Sequence, residues 1–181
     1  MSCSAPARRE AALSQIAKRC AVVAVVAIAA LLPRFATLKI SSDGLRLLAD
    51  AEGCRTSPYQ CSAGVWTNGI GHTAGVTPQS TVSERQAAVN LVDDLIRVER
   101  QLARCVPVTM PQPVWDAAVS FAFNVGAGAA CRSTLARELN QQRWRAACDQ
   151  LPRWIYVNGV KNAGLAQRRA RERAWCLRGV P

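Results

Sequence analysis

The sequence predicts an α+β, mostly helical fold. It divides into an N-terminal segment, residues 1–36, and one folded domain, residues 37–181. Three observations predict this. Apolar residues recur at helical spacing in several separate stretches. One short stretch between residues 55 and 70 has hairpin character instead. Proline and glycine clusters punctuate the chain between these stretches. A chain of 181 residues has the length of one domain plus an extension, and 50% apolar residues suffice for a core.

The first 19 residues carry Arg8, Arg9, Lys18 and Arg19 against a single acid, Glu10. An apolar run from Cys20 to Leu32 follows, closed by Pro33 and Arg34. A basic flank before an apolar run reads as an export signal with its N-terminus in the cytoplasm. Thirteen helical residues span only ~20 Å, against the ~30 Å of a bilayer core. The run is therefore either the core of a cleaved signal peptide or a weak, retained signal anchor. A cysteine opening the segment gains a use only in the second case.

Beyond Ile40, Ser41, Ser42 and Asp43 offer capping groups, and Leu45, Leu48 and Glu52 share one helical stripe. Gly53 is the expected stop. Glu52 thus falls on an apolar face at a helix end, where desolvation raises the pKa of a carboxyl group and suits it to general-acid work. Ser62 to Gly64 is expected to turn and Val65 to Ile70 to form a strand. His72, the only histidine, is expected to be a structural hydrogen-bonding residue. Thr81, Val82, Ser83 and Glu84 fit a capping box for a long helix ending near Cys105. Residues Val114 to Val125 are almost wholly apolar and predict the buried central helix, with residues 124–128 ending it. Shorter helices are expected over residues 133–140, 142–150 and 163–177. Arg168, Arg169, Arg171 and Arg173 are expected on a solvated face of the last.

The net charge of +11 implies attraction to a polyanion, nucleic acid or an anionic envelope polymer such as peptidoglycan. No nucleic-acid-binding signature is present, so nucleic acid is not an expected partner. Eight cysteines without a C-x-x-C pair argue against a zinc site and for disulfides in an oxidising compartment. No metal or cofactor is expected.

The frame formed by Glu52, Cys61 and Thr67, followed by Asn68 to His72, resembles the phage T4-type lysozymes of glycoside hydrolase family 24. Residues Phe121 to Gly128, Cys131 to Leu135 and Arg153 to Tyr156 resemble later blocks of that family, in order, so that the likeness covers about residues 40–178. The resemblance implies a lysozyme-like fold with a small β-hairpin lobe and a larger helical lobe. It also implies hydrolysis of the β-1,4 bonds between N-acetylmuramic acid and N-acetylglucosamine in peptidoglycan. Glu52 would be the general acid and Thr67 would help place the attacking water of an inverting reaction. Cys61 departs from the pattern, standing where the family usually has Asp.

That departure, with Cys54 nearby and Cys20 in the apolar run, resembles the signal-anchor-release endolysins of the phage P1 kind. The resemblance implies a thiol switch. Cys54–Cys61 would be bonded while residues 20–32 hold the protein in the host inner membrane, C-terminal domain outward. On release to the periplasm Cys20 would attack Cys54 and free Cys61. Closing the Cys54–Cys61 loop restrains the unfolded chain by ~2.5 kcal/mol and closing Cys20–Cys54 by ~3.7 kcal/mol, so the exchange is not forbidden. The implied partners are the host Sec export machinery, a holin or pinholin, and peptidoglycan, with the protein a monomer. Of the three pairings open to Cys105, Cys131, Cys148 and Cys176, the expected one is Cys105–Cys131 with Cys148–Cys176. Cys3 has no assigned role. Two alternatives remain: a lytic transglycosylase using Glu52 alone, and a non-catalytic peptidoglycan-binding module.

Overall fold

The computed structural model of the protein describes residues 19–60 and 64–181. Cys3, Cys61 and the first two residues of the expected turn, Ser62 and Ala63, lie outside the described residues. Two compact units emerge, one of residues 19–38 and 48–96, the other of residues 39–47 and 97–181. The fold is mostly helical with small strand hairpins, as expected.

In the first unit the apolar run forms helix α1, Val22–Ala30. Nine residues span about 14 Å. No helix among the described residues is long and apolar enough to cross a membrane. Val25 and Ala29 are buried while Val23 is 73% exposed. A 3-10 turn, Pro33–Thr37, follows, and Arg34 pairs with Asp93 on the surface.

Helix α2, Ser42–Glu52, contributes residues to both units. Leu45, Leu48, Ala49 and Glu52 are all buried, as the stripe predicts. Ser41 caps it, its Oγ accepting from Gly44 N at 3.0 Å. Strands β1, Arg55–Gln60, and β2, Trp66–Gly69, pair antiparallel with a bulge between Arg55 and Tyr59.

Helix α3, Glu84–Cys105, also contributes to both units. The expected capping box does not form. Ser83 is the N-cap, its Oγ accepting from Gln86 N at 3.1 Å. The Glu84 side chain instead accepts from Ala21 N at 2.9 Å, at the otherwise uncapped start of α1. A contact 63 residues away has displaced the local one.

The second unit is built round α4, Gln112–Val125, buried from Val114 to Asn124. Gly126, at φ 86°, ends it, but the chain then makes one more short helix, α5, Ala127–Cys131. Helices α6, Thr134–Asn140, and α7, Trp144–Cys148, follow. The positive φ of Gln142 delays α7 past the predicted start. A hairpin of β3, Tyr156–Val157, and β4, Val160–Lys161, precedes α8, Ala163–Leu177. Disulfides join Cys105 to Cys131 and Cys148 to Cys176.

The expected solvated arginine face of α8 is half wrong. Arg168 and Arg169 are buried, because both turn inward onto the buried Glu172. Arg168 also donates to the Ser120 carbonyl (3.1 Å), and Arg169 donates to Asn124 (2.6 Å) and stacks over Phe121. Arg173 meets Asp149 and Arg171 is exposed.

Two further buried acids fasten the stretch before α2. Glu99 accepts from the backbone N–H of Lys39 and Ile40 and from Trp115 Nε1. Asp116 accepts from Ser41 N and Oγ, Gln112 Nε2 and Trp175 Nε1. Held by four donors, Asp116 cannot swing aside, and a Cβ on Gly44 would overlap its carboxyl carbon. Gly44→Ala is therefore expected to destabilise the fold by about 1–3 kcal/mol through overpacking, measured as a lower urea midpoint at unchanged slope.

Candidate active site

Glu52 is the last residue of α2. Gly53 adopts φ 70° and donates its N–H back to Ala49 O at 3.0 Å, closing the helix as the sequence predicts. The stop fixes where the Glu52 side chain leaves the helix, and it is 8% exposed. The next residue, Cys54, is bonded to Cys20, with their Cα atoms 5.1 Å apart. Cys20 N donates to Cys54 O at 3.4 Å, and Arg19 bridges Arg55 antiparallel. Residues 19 and 20 thus lie alongside the entry to β1.

Thr67 stands on β2 opposite Tyr59. It is fully buried, and its Oγ1 donates to Val65 O at 3.2 Å. Asn68 exchanges backbone hydrogen bonds with His72 at 3.0 Å each way and donates from Nδ2 to Ser80 O. His72 Nδ1 lies 2.7 Å from Asp94 Oδ2. The histidine is therefore tied into the frame below the hairpin, in the structural role its isolation suggested. Gly69, at φ 56°, packs so close to Ala87 that a Cβ would lie 3.3 Å from the alanine methyl.

A cavity of about 310 Å³ opens on Glu52. Tyr59, Arg55, Cys54, Cys20 and Arg19 share its wall; Thr67 does not line it. The structure thus brings Glu52, Cys20 and Cys54 together and places Thr67 on the adjoining hairpin. Cys61 is outside the described residues. Sequence reasoning missed Arg19, Arg55 and Tyr59. Chain connectivity held the signal for the first: once Cys20 joins Cys54, its neighbour Arg19 must fall beside Arg55. The Arg55 guanidinium sits 4.7 Å over the Tyr59 ring. Burial pushes the Tyr59 phenol up to about 12, the nearby Glu52 carboxylate pushes the same way, and Arg55 opposes them. Among the described residues no group of three or more His, Cys, Asp and Glu side chains is gathered to hold a metal ion.

Residues 49–172 match the family model described as phage lysozyme. The SAR-endolysin of Bacteriophage PS119 is 42% identical over 139 residues, covering 76% of this chain and 80% of that protein. The crystal structure of the active form of P1 phage endolysin Lyz superposes with a TM-score of 0.80 at 32% identity, over 91% of this chain and 97% of that one. The secreted inactive form of the same endolysin gives 0.56 at 34% identity, over 78% and 97%.

Tyr59 supplies a pH signature of this geometry. Its folded pKa lies above the ordinary phenol value, so the stability it contributes is complete below pH ~10. That contribution is lost as pH rises through about 12. Alkaline phenolate titration is expected to show a late-ionising step from Tyr59, and Tyr59→Phe to abolish it.

Proposed function

The chain belongs to the phage lysozyme family, and we propose that it is a muramidase, an endolysin that hydrolyses the β-1,4 N-acetylmuramic acid–N-acetylglucosamine bonds of peptidoglycan. The observation that carries the reading is Glu52: an acid at a helix end, 8% exposed, opening on a cavity beside the hairpin that holds Thr67. Glu52 protonates the glycosidic oxygen as the bond breaks. Thr67, from the adjoining hairpin, helps place the water that attacks the opposite face of the sugar, and Cys61 serves that water as base or by orienting it, so the configuration inverts.

Regulation is the second part of the proposal. Residues 20–32 hold the exported protein in the inner membrane, with Cys54 bonded to Cys61. On release the Cys20 thiolate attacks Cys54 Sγ; the Cys20–Cys54 bond forms as the Cys54–Cys61 bond breaks, and Cys61 leaves as thiolate and takes up a proton. Nothing is oxidised or reduced overall. The Cys20–Cys54 bond supports this end state, since a Cys54 held by Cys20 cannot hold Cys61. The greater similarity to the solved active form than to the inactive one points the same way. In this account the Sec machinery exports the chain, a holin or pinholin triggers its release, and it acts as a monomer in the periplasm.

Purified protein is expected to release reducing ends from purified peptidoglycan, and Glu52→Gln to lower the rate at least ~100-fold. Muropeptide mass spectrometry is expected to show hydrated ends; anhydro ends would make the enzyme a lytic transglycosylase. No release under oxidising or reducing conditions would defeat the hydrolase reading.

Expression of Cys20→Ser in a Gram-negative host is expected to give protein that accumulates and lyses poorly. Lysis on the normal schedule would show that exchange from Cys20 is not the trigger.

A further inference from the structure

The Glu52 cavity contains more positive charge than general-acid chemistry needs. Arg19 and Arg55 both line its wall, and Glu52 is the only acid there among the described residues. Neither guanidinium forms an ion pair with a carboxylate among the described residues. Other arginines do meet a carboxylate: Arg168 and Arg169 share Glu172, Arg137 and Arg143 share Glu138, and Arg173 meets Asp149. What sets these two cations apart is position: they share one wall because Arg19 and Arg55 are main-chain bridge partners. Arg55 is further fixed over the Tyr59 ring.

We propose that Arg19 and Arg55 form an anion subsite beside Glu52 that takes a carboxylate of the peptidoglycan peptide stem, and that the N-terminal segment supplies half of it. This rests on the muramidase reading above. The planar guanidinium fork suits a carboxylate, and two forks meeting at one wall can bind it from two sides. Peptide stems hang from the glycan strand, so a carboxylate reaches this wall when a sugar lies at Glu52. Arg19 is next to Cys20 and is brought to the cavity by the Cys20–Cys54 bond. The subsite is therefore complete only when residues 19–22 are docked, and the docked segment contributes a binding group to the site as well as releasing a thiol.

The main-chain bridge between Arg19 and Arg55 and the Cys20–Cys54 bond do not depend on the arginine side chains, so Arg19 can be tested without undocking the segment. The full chain carrying Glu52→Gln, oxidised to the Cys20–Cys54 form, is titrated with a soluble peptidoglycan tetrasaccharide bearing its peptide stems. The same ligand with its carboxylates amidated is the control. The expected result is about tenfold tighter binding of the carboxylate form, lost in Arg19→Gln and partly kept in Arg19→Lys. Disulfide mapping confirms the bond in each variant, and Arg55→Gln carries the same comparison should Arg19→Gln lose it. Equal affinity for the two ligands, an unchanged preference in both Gln variants, or no binding of either ligand overturns the proposal. Reducing-end release by the wild-type chain decides the muramidase reading separately, so the two can fail independently.

Discussion

The Cys20–Cys54 bond is the constraint on which the first unit depends. It joins residues 34 apart and holds the N-terminal segment against the entry to β1. Everything the segment contributes follows from that attachment. Ala21 meets the Glu84 carboxylate, which supplies the cap that α1 lacks in its own sequence. Val25 and Ala29 then become buried, and Arg34 reaches Asp93. Each contact is individually weak; an exposed pair such as Arg34–Asp93 is worth ~1 kcal/mol or less. A nine-residue helix with one buried edge does not hold itself in place. The covalent bond converts these small terms into local ones, and so decides which residues face Glu52.

The second unit solves a different problem, burying charge against charge. Glu172 is shared by two arginines, one of which stacks on Phe121 while both reach acceptors on α4. Well-packed apolar residues could match the stability of such a network. They would not fix the rotation of α8 against α4 in the same way, because each hydrogen bond here has one geometry that satisfies it. Glu99 and Asp116 use neutral donors for the same end, pinning the backbone just ahead of α2. The helix that presents Glu52 is thus anchored at its start by two buried acids and stopped at its end by Gly53.

Much of this was legible from periodicity. The stripe through Leu45, Leu48 and Glu52, the stop at Gly53 and the buried span from Val114 to Asn124 are local properties, and local patterns reveal them. The hairpin of β3 and β4 was equally legible and went unread: Asn158 and Gly159, both at positive φ between Val157 and Val160, carry the strongest short hairpin signal there is. What could not be read locally was decided by distant partners. Glu84 fits a capping box until Ala21 competes for it. Arg168 and Arg169 look like a solvated face until Glu172 and Asn124 are seen beneath them. The site divides the same way: Glu52 announces itself, whereas Arg19 gains a meaning only through the partner of its neighbour.

The charge of the chain now separates into two parts with different physics. Much of the excess of 23 basic over 12 acidic residues lies on exposed side chains such as Arg171. Charge of that kind acts at long range, drawing the protein towards a polyanionic wall, and salt screens it within a Debye length of about 8 Å. Arg19 and Arg55 act differently, because they share a cavity wall with a buried acid and an aromatic ring. In the proposed subsite Arg55 is held in place by its stack on Tyr59, so a carboxylate there would be recognised by position as well as by sign. Surface charge brings the enzyme to any anionic polymer. The proposed subsite at the cavity wall would add a preference for a polymer that carries carboxylates beside its glycosidic bonds, as peptidoglycan does.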